Sequence, residues 1–236
     1  METIESWLIE ARTGAEQSDR PLVTLSYAQS LDGCLTVERG RPTALSGPEA
    51  MRLTHRLRAA HAGILVGIGT ILSDNPRLTV RLVEGPNPQA VVVDTQLNIP
   101  PESALFSSET HAPWLVCGEQ VNEAKADVLR RLGARLFPCP LLPDGKVDLA
   151  RALVSLKQAG INSLMVEGGA RIISNVLANS LADLAVVTIC PVWLSGLHPS
   201  ADVVDCPDCR PALQNPTYQQ MGRDMVVWGR IKDRKV

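Results

Sequence analysis

The chain has 236 residues, 45% hydrophobic and 20% charged, enough to bury one globular core and inconsistent with a disordered chain. Its net charge of −2 excludes a global pull toward nucleic acid or an anionic membrane, so anion affinity must come from local arginines. No run reaches the roughly 18 uncharged apolar residues of a membrane span, and acids occupy the N-terminus where a signal peptide carries bases, so a cytoplasmic protein is expected.

Residues 1–20 are polar with weak helical character and read as an N-terminal arm to a single domain over 21–236. Pro21 to Ala28 is an apolar, β-branched first strand that runs into the turn Ser30-Leu31-Asp32-Gly33. Ser46-Gly47-Pro48-Glu49 reads as a capping box, Ser46 at the N-cap and Glu49 three residues on. In the helix that follows, Ala50, Leu53, Thr54, Leu57 and Ala60 form the buried stripe. Arg52, His55 and Arg56 form its wet side, with His55 expected in solvent. Gly63 to Gly67 is a second strand, and the short helix after it is halted by Pro76. Arg77-Leu78-Thr79-Val80-Arg81 alternates, which places Arg77, Thr79 and Arg81 on one side if the segment is extended.

Further strands are expected at 90–93, 114–117, 134–137 and 163–166, alternating with helices at 120–132, 147–159 and 170–179. That alternation predicts an α/β fold with a mostly parallel central sheet flanked by helices. Leu184 to Ile189 and Met225 to Ile231 are strands separated only by a loop-rich region, which fits an antiparallel C-terminal edge. Six cysteines are scattered along the chain. Cys206-Pro207-Asp208-Cys209 has metal-ligand spacing without a second ligand pair, so it reads as a loop with two free thiols and no metal is expected.

The stretch that carries most chemistry is Ser163 to Ile173, a buried strand, two glycines and the first turn of an amphipathic helix. Such a unit aims unpaired N–H groups and the positive end of a helix dipole at one point, which suits a phosphate. Glu167 ends the strand beside that point. Ile68-Gly69-Thr70 after the second strand is another glycine-led helix start, with a hydroxyl at Thr70.

Six segments fall in one order: Ser30-Leu31-Asp32-Gly33; Gly47-Pro48-Glu49-Ala50 with Leu57-Arg58-Ala59; Ile64 to Thr70; Asp74 to Arg81; Val92-Val93-Asp94-Thr95; and Val166-Glu167-Gly168-Gly169. Together they resemble the riboflavin-biosynthesis reductase family, both the C-terminal reductase domain of the bifunctional deaminase-reductase and the stand-alone diaminohydroxyphosphoribosylaminopyrimidine reductases. With no zinc-ligand deaminase signature ahead of them, the stand-alone form is expected. The resemblance implies a dihydrofolate-reductase-like fold, NADPH as cofactor and a homodimer. It implies an oxidoreductase of the 5-amino-6-(5-phosphoribosylamino)uracil reductase type, which reduces the ribosyl group of a 5-amino-6-(ribosylamino)pyrimidine 5′-phosphate to a ribityl chain.

Carried over by position, Ala28, Thr70, Asp74, Thr95 and Gly168, Gly169, Ala170, Arg171 and Ile172 line the cofactor site, which extends to Asn175. Arg58, Leu78, Arg81 and Glu167 hold the substrate. Glu167 and Asp32 are the candidate catalytic acids, Glu167 for charge stabilisation and Asp32 as structural or proton-relay partner. The chain departs from the family at Ser26 and at Pro42-Thr43-Ala44-Leu45-Ser46, where a Trp-bearing segment is replaced. The altered loop lies on the substrate side and keeps open an NADPH reductase acting on another pyrimidine or pterin; the other alternative is a catalytically silent binding or partner module that keeps the fold without turnover.

Overall fold

The structure is a computed structural model that describes residues 4–13, 17–38, 40–41, 43–107, 111–199 and 211–232. Cys206 and Cys209, and Pro42 of the altered loop, lie outside the described residues.

Nine strands form one sheet: β1 (Leu22–Ser30), β2 (Gly63–Gly67), β3 (Gln89–Val93), β4 (Trp114–Gly118), β5 (Arg135–Cys139), β6 (Ser163–Gly168), β7 (Leu184–Cys190), β8 (Ala212–Met221) and β9 (Asp224–Lys232). Their order across the sheet is β5-β4-β3-β2-β6-β1-β7-β9-β8. Six pairings, which join β5, β4, β3, β2, β6, β1 and β7, are parallel, while β7–β9 and β8–β9 are antiparallel. The mostly parallel sheet with an antiparallel C-terminal edge is therefore observed. Parallel strands buried on both faces require apolar runs such as Ile64-Leu65-Val66 and Leu164-Met165-Val166, all of which are fully buried.

Helices cover both faces. On one, α5 (Leu149–Gln158) and α6 (Ala170–Ala178) pack Leu153, Leu156, Ile173 and Val176 against Val23, Leu25, Leu65 and Val166. On the other, α3 (Ile68–Asp74) and α4 (Glu123–Arg131) cover β2, β3 and β4. Beside them, α1 (Ile4–Thr13) and α2 (Pro48–Ala60) cover Leu22, Met165, Leu184 and Trp228.

Four local expectations are corrected. Residues 4–13 form a helix whose Ile4, Trp7, Leu8 and Ala11, at helical spacing, are buried in the core shared with α2. The capping box does not form. Gly47 is the N-cap with Pro48 following, and its N–H is satisfied from across the fold by Asp224 Oδ2 at 2.7 Å. The region between β7 and β9 contains β8, which is polar, carries Pro216 at a register shift and forms the sheet edge, so no apolar alternation announces it. Finally, residues 77–81 are not an extended strand, because Leu78 adopts φ +54.

Candidate active site

Adjacent parallel strands β3, β2, β6 and β1 end at one edge of the sheet, and β6 sits between β2 and β1 although it follows them by a hundred residues. The chain that leaves each strand end therefore gathers here: Asp94 and Thr95 after β3, Gly67 to Thr70 after β2, Glu167 to Gly169 at the end of β6, and Asp32 after β1. An open α/β sheet builds its ligand crevice at such an edge.

Glu167 lies on the same side of β6 as Met165, the side covered by α2. There Arg58 meets it through two charge-assisted bonds, Nε to Oε1 at 2.6 Å and Nη2 to Oε2 at 2.7 Å. The remaining Arg58 nitrogen, Nη1, donates to Thr79 O at 3.0 Å. Thr79 Oγ1 accepts from Arg81 Nη1 at 2.9 Å, and Arg81 N donates to His55 Nδ1, also at 2.9 Å. The carboxylate at the strand end is thus joined to an exposed arginine through α2 and the 79–81 segment. Arg77 is exposed and is not part of this chain of bonds. Leu78 is buried, and its left-handed backbone costs about 1 kcal/mol for a residue with a Cβ, so the bonds on either side must hold it.

His55 was expected in solvent and is instead buried. Burial first, then the charges of Arg58 and Arg81, push its imidazole down to about 4, with Glu167 opposing. The neutral ring is the form whose Nδ1 can accept a hydrogen bond from Arg81 N. The available sequence signal was its position three residues before Arg58, which places both on one face of α2.

The second half of the site is built from glycines. Gly168 and Gly169 have φ +119 and +35, conformations L side chains rarely adopt. A Cβ on Gly169 would lie 3.4 Å from Thr70 Oγ1, so the starts of α3 and α6 stand side by side and the absent side chain keeps their shared space open. A Cβ on Gly67 would come within 2.9 Å of Ile172. Ala170 and Arg171, in the first turn of α6, have N–H groups with no acceptor inside the helix. Arg171 is exposed there, and Asn175 Oδ1, one turn on, is buried with no hydrogen-bond partner among the described residues. An open glycine-walled space with free amides, a hydroxyl and a cation fits the phosphates of a dinucleotide.

The other candidates divide. Thr95 stands at the end of β3, its carbonyl accepting from Gly118 N, with the turn after it pinned by Asp94 Oδ2 to Ile99 N at 2.7 Å. Asp74 is exposed at the end of α3 and bonded by Ser73. Ala28 is half-buried in β1 opposite Thr188. Asp32 is fully engaged: Oδ1 accepts from Ser30 Oγ at 2.5 Å and Leu194 N at 3.1 Å, and Oδ2 from Ser195 N at 2.7 Å. These donors, led by the Ser30 hydroxyl, hold its carboxyl well below the usual carboxylate range.

Residues 21–227 match the family described as RibD C-terminal domain. The chain belongs to that family. It is 37% identical over 195 residues to the 2,5-diamino-6-ribosylamino-4(3H)-pyrimidinone 5′-phosphate reductase of Debaryomyces hansenii, spanning 75% of this chain and 77% of the relative. It is 32% identical over 187 residues to the enzyme of the same description from Archaeoglobus fulgidus, spanning 75% and 83%. Among solved structures it is similar to the riboflavin biosynthesis reductase Rib7 of Saccharomyces cerevisiae, with a TM-score of 0.76 at 28% identity over 96% of this chain and 98% of Rib7. The matched span runs from the start of β1 into β9, so it contains every residue of the crevice, while α1 lies ahead of it.

Proposed function

We propose that this member of the RibD C-terminal domain family is an NADPH-dependent reductase of riboflavin biosynthesis. Its substrate is 2,5-diamino-6-ribosylamino-4(3H)-pyrimidinone 5′-phosphate, whose ribosyl group it converts to an open ribityl chain. The names of the fungal and archaeal relatives support this substrate over its deaminated counterpart. The observation that carries the reading is Glu167, clamped by Arg58 at the end of β6 directly before the glycine-led start of α6. A carboxylate and a phosphate cradle are thereby adjacent in one crevice.

When bound, NADPH supplies the hydride that C1′ of the ribosyl group accepts. The protein's task is placement, charge and proton management. In this reading Thr70, Asp74, Thr95 and Gly168 to Ile172 line the cofactor site, with Ala28 near it. Arg171 is the cation available to a 2′-phosphate, which is the local support for NADPH over NADH. Glu167 sets negative charge beside the carbon–nitrogen centre that becomes cationic as the sugar ring opens. Arg58 orients that carboxylate rather than meeting phosphate itself, since three of its nitrogens are already engaged. Arg81, exposed and tethered to Thr79, is then the cation for the substrate phosphate, with Leu78 beside it. The contacts of Asp32 favour the structural role over the proton relay, leaving water to protonate the departing ring oxygen.

The same reading takes the enzyme as a cytoplasmic homodimer, which light scattering on purified protein tests for assembly. Among the described residues no helix is long and apolar enough to cross a membrane. The deciding experiment follows loss of NADPH absorbance with the diamino substrate and its deaminated counterpart. Turnover of the diamino compound is expected. Oxidation with neither compound, while NADPH still binds, sinks the assignment.

A further inference from the structure

We propose that His55 is the positioning residue of this site: its Nδ1, offered to the Arg81 N–H, fixes where the Arg81 guanidinium stands to receive the substrate phosphate. The inference rests on the reading of Arg81 as the phosphate cation.

Arg81 is exposed, and its side-chain bond to Thr79 Oγ1 stays inside its own short segment. Where the guanidinium sits therefore depends on where the backbone of 79–81 sits. That backbone belongs to no helix or strand and follows Leu78 at φ +54, with Val80 N held by Asn87 Oδ1 at 2.7 Å from its own loop. Two bonds tie it to α2: Thr79 O to Arg58 Nη1 at 3.0 Å and Arg81 N to His55 Nδ1 at 2.9 Å. Only the second acts on residue 81 itself.

His55 is suited to this. It is 2% exposed, although its neighbours Arg52 and Arg56 on the same helix are exposed. A buried imidazole needs a partner, and the one it has is 26 residues away, in the segment it holds. Burial first, then the charges of Arg58 and Arg81 against the opposing Glu167, keep the ring neutral, so Nδ1 can accept.

The consequence is a ruler. Arg58, one turn after His55, holds Glu167 at the reacting end, and His55 holds Arg81 at the phosphate end. One rigid helix sets the spacing between them, and that spacing selects a substrate with the phosphate at a fixed distance from C1′.

The test uses the full chain with His55→Leu, which removes the acceptor and keeps bulk, and His55→Asn, which keeps an oxygen near the place of Nδ1. KM and kcat are measured for the phosphorylated substrate and for the same compound without its phosphate. Amide exchange at Arg81 is followed alongside. His55→Leu is expected to raise KM for the phosphorylated substrate about tenfold, the scale of one lost hydrogen bond, with a much smaller change in kcat. KM for the dephosphorylated compound stays within about twofold, Arg81 N–H loses protection, and His55→Asn recovers most of both. Equal KM shifts on the two compounds, an Asn variant no better than Leu, or unchanged Arg81 protection overturns the proposal. If wild type turns over neither compound, the reductase reading fails separately. Binding of ribose 5-phosphate then judges His55: weaker in Leu and restored in Asn supports it, and equal affinity in all three proteins overturns it.

Discussion

Arg58 and Glu167, 109 residues apart, meet as a fork on a fork, with 11% and 14% of their side chains exposed. α2 connects β1 to β2, yet β6 lies between those two strands, so the helix crosses over β6 and Arg58 comes within reach of its last side chain. The pair is hydrogen-bonded on both sides, with Thr79 O satisfying a third guanidinium nitrogen. Such a pair is costly to break and cheap to replace whole. Arg58→Ala or Glu167→Ala is expected to cost about 3–5 kcal/mol in urea unfolding, because each leaves a nearly buried charge unpaired. The double change Arg58→Met with Glu167→Leu should cost less than either, while abolishing turnover. A double variant as unstable as the sum of the singles would show that the two residues do not act as a unit.

The phosphate cradle makes a second prediction, about the cofactor. Gly169→Ala places a Cβ at φ +35 and 3.4 Å from Thr70 Oγ1, inside the space between α3 and α6. The expected result is an NADPH dissociation constant raised at least tenfold in fluorescence titration, together with about 1 kcal/mol of lost stability from the strained backbone. Thr70→Val, which removes the hydroxyl and keeps the shape, should weaken NADPH without the stability loss. Unaltered NADPH affinity in both would move the cofactor elsewhere.

Sequence and structure agree where a pattern is local. Apolar runs ended by glycine marked β2 and β6, and helical spacing marked α2 and α6, because periodicity reports burial directly. The positions of Glu167 at the end of β6, and of Gly169 and Thr70 just after β6 and β2, were legible for the same reason. The misses share another cause. α1 was hidden because its apolar stripe, Ile4, Trp7, Leu8 and Ala11, is interleaved with charged residues in a short segment. β8 was hidden because an edge strand needs no apolar face. Ser46 looked like a cap because the motif is local, whereas the bond that serves Gly47 comes from Asp224, 177 residues away. His55 looked solvated because the segment that bonds it is distant in sequence, and no local pattern announces the bond from Arg58 to Glu167, 109 residues away.

Two buried histidines predict an acid-sensitive fold. His61 is 4% exposed, with Nδ1 2.6 Å from Leu57 O and Nε2 2.8 Å from Thr24 Oγ1. The carbonyl can only accept, so Nδ1 donates to it, and in the neutral ring Nε2 accepts from the Thr24 hydroxyl. Burial lowers both His61 and His55 from 6.5 to about 4. Between those values the unfolded chain binds more protons than the folded one, so stability rises with pH there. It is complete above about pH 6.5 and falls as the pH drops toward 4, by on the order of 3 kcal/mol for His61. Urea unfolding across this range should show the slope, and His61→Asn should flatten it. A stability independent of pH from 7 to 4 in wild type would contradict the buried neutral rings.

Asp32 separates anchoring from proton relay. Its oxygens receive Ser30 Oγ and the N–H groups of Leu194 and Ser195, and the same loop is tied to the β1 turn by Leu31 N to Val192 O at 2.8 Å. Gly196 lies so close to Thr36 O that no side chain fits between them. The carboxyl is depressed, so its contribution to stability is present above about pH 4 and is lost as the pH falls below it. An anchor and a relay respond differently to Asp32→Asn, which keeps an acceptor and removes the charge. The anchor reading expects faster amide exchange at Leu194 and Ser195, raised KM for cofactor or substrate, and a pH profile of kcat with its acidic limb unmoved. A relay loses kcat by at least a hundredfold with KM little changed, and its profile loses the limb that the carboxylate governs. With both oxygens committed to the loop, the first result is expected.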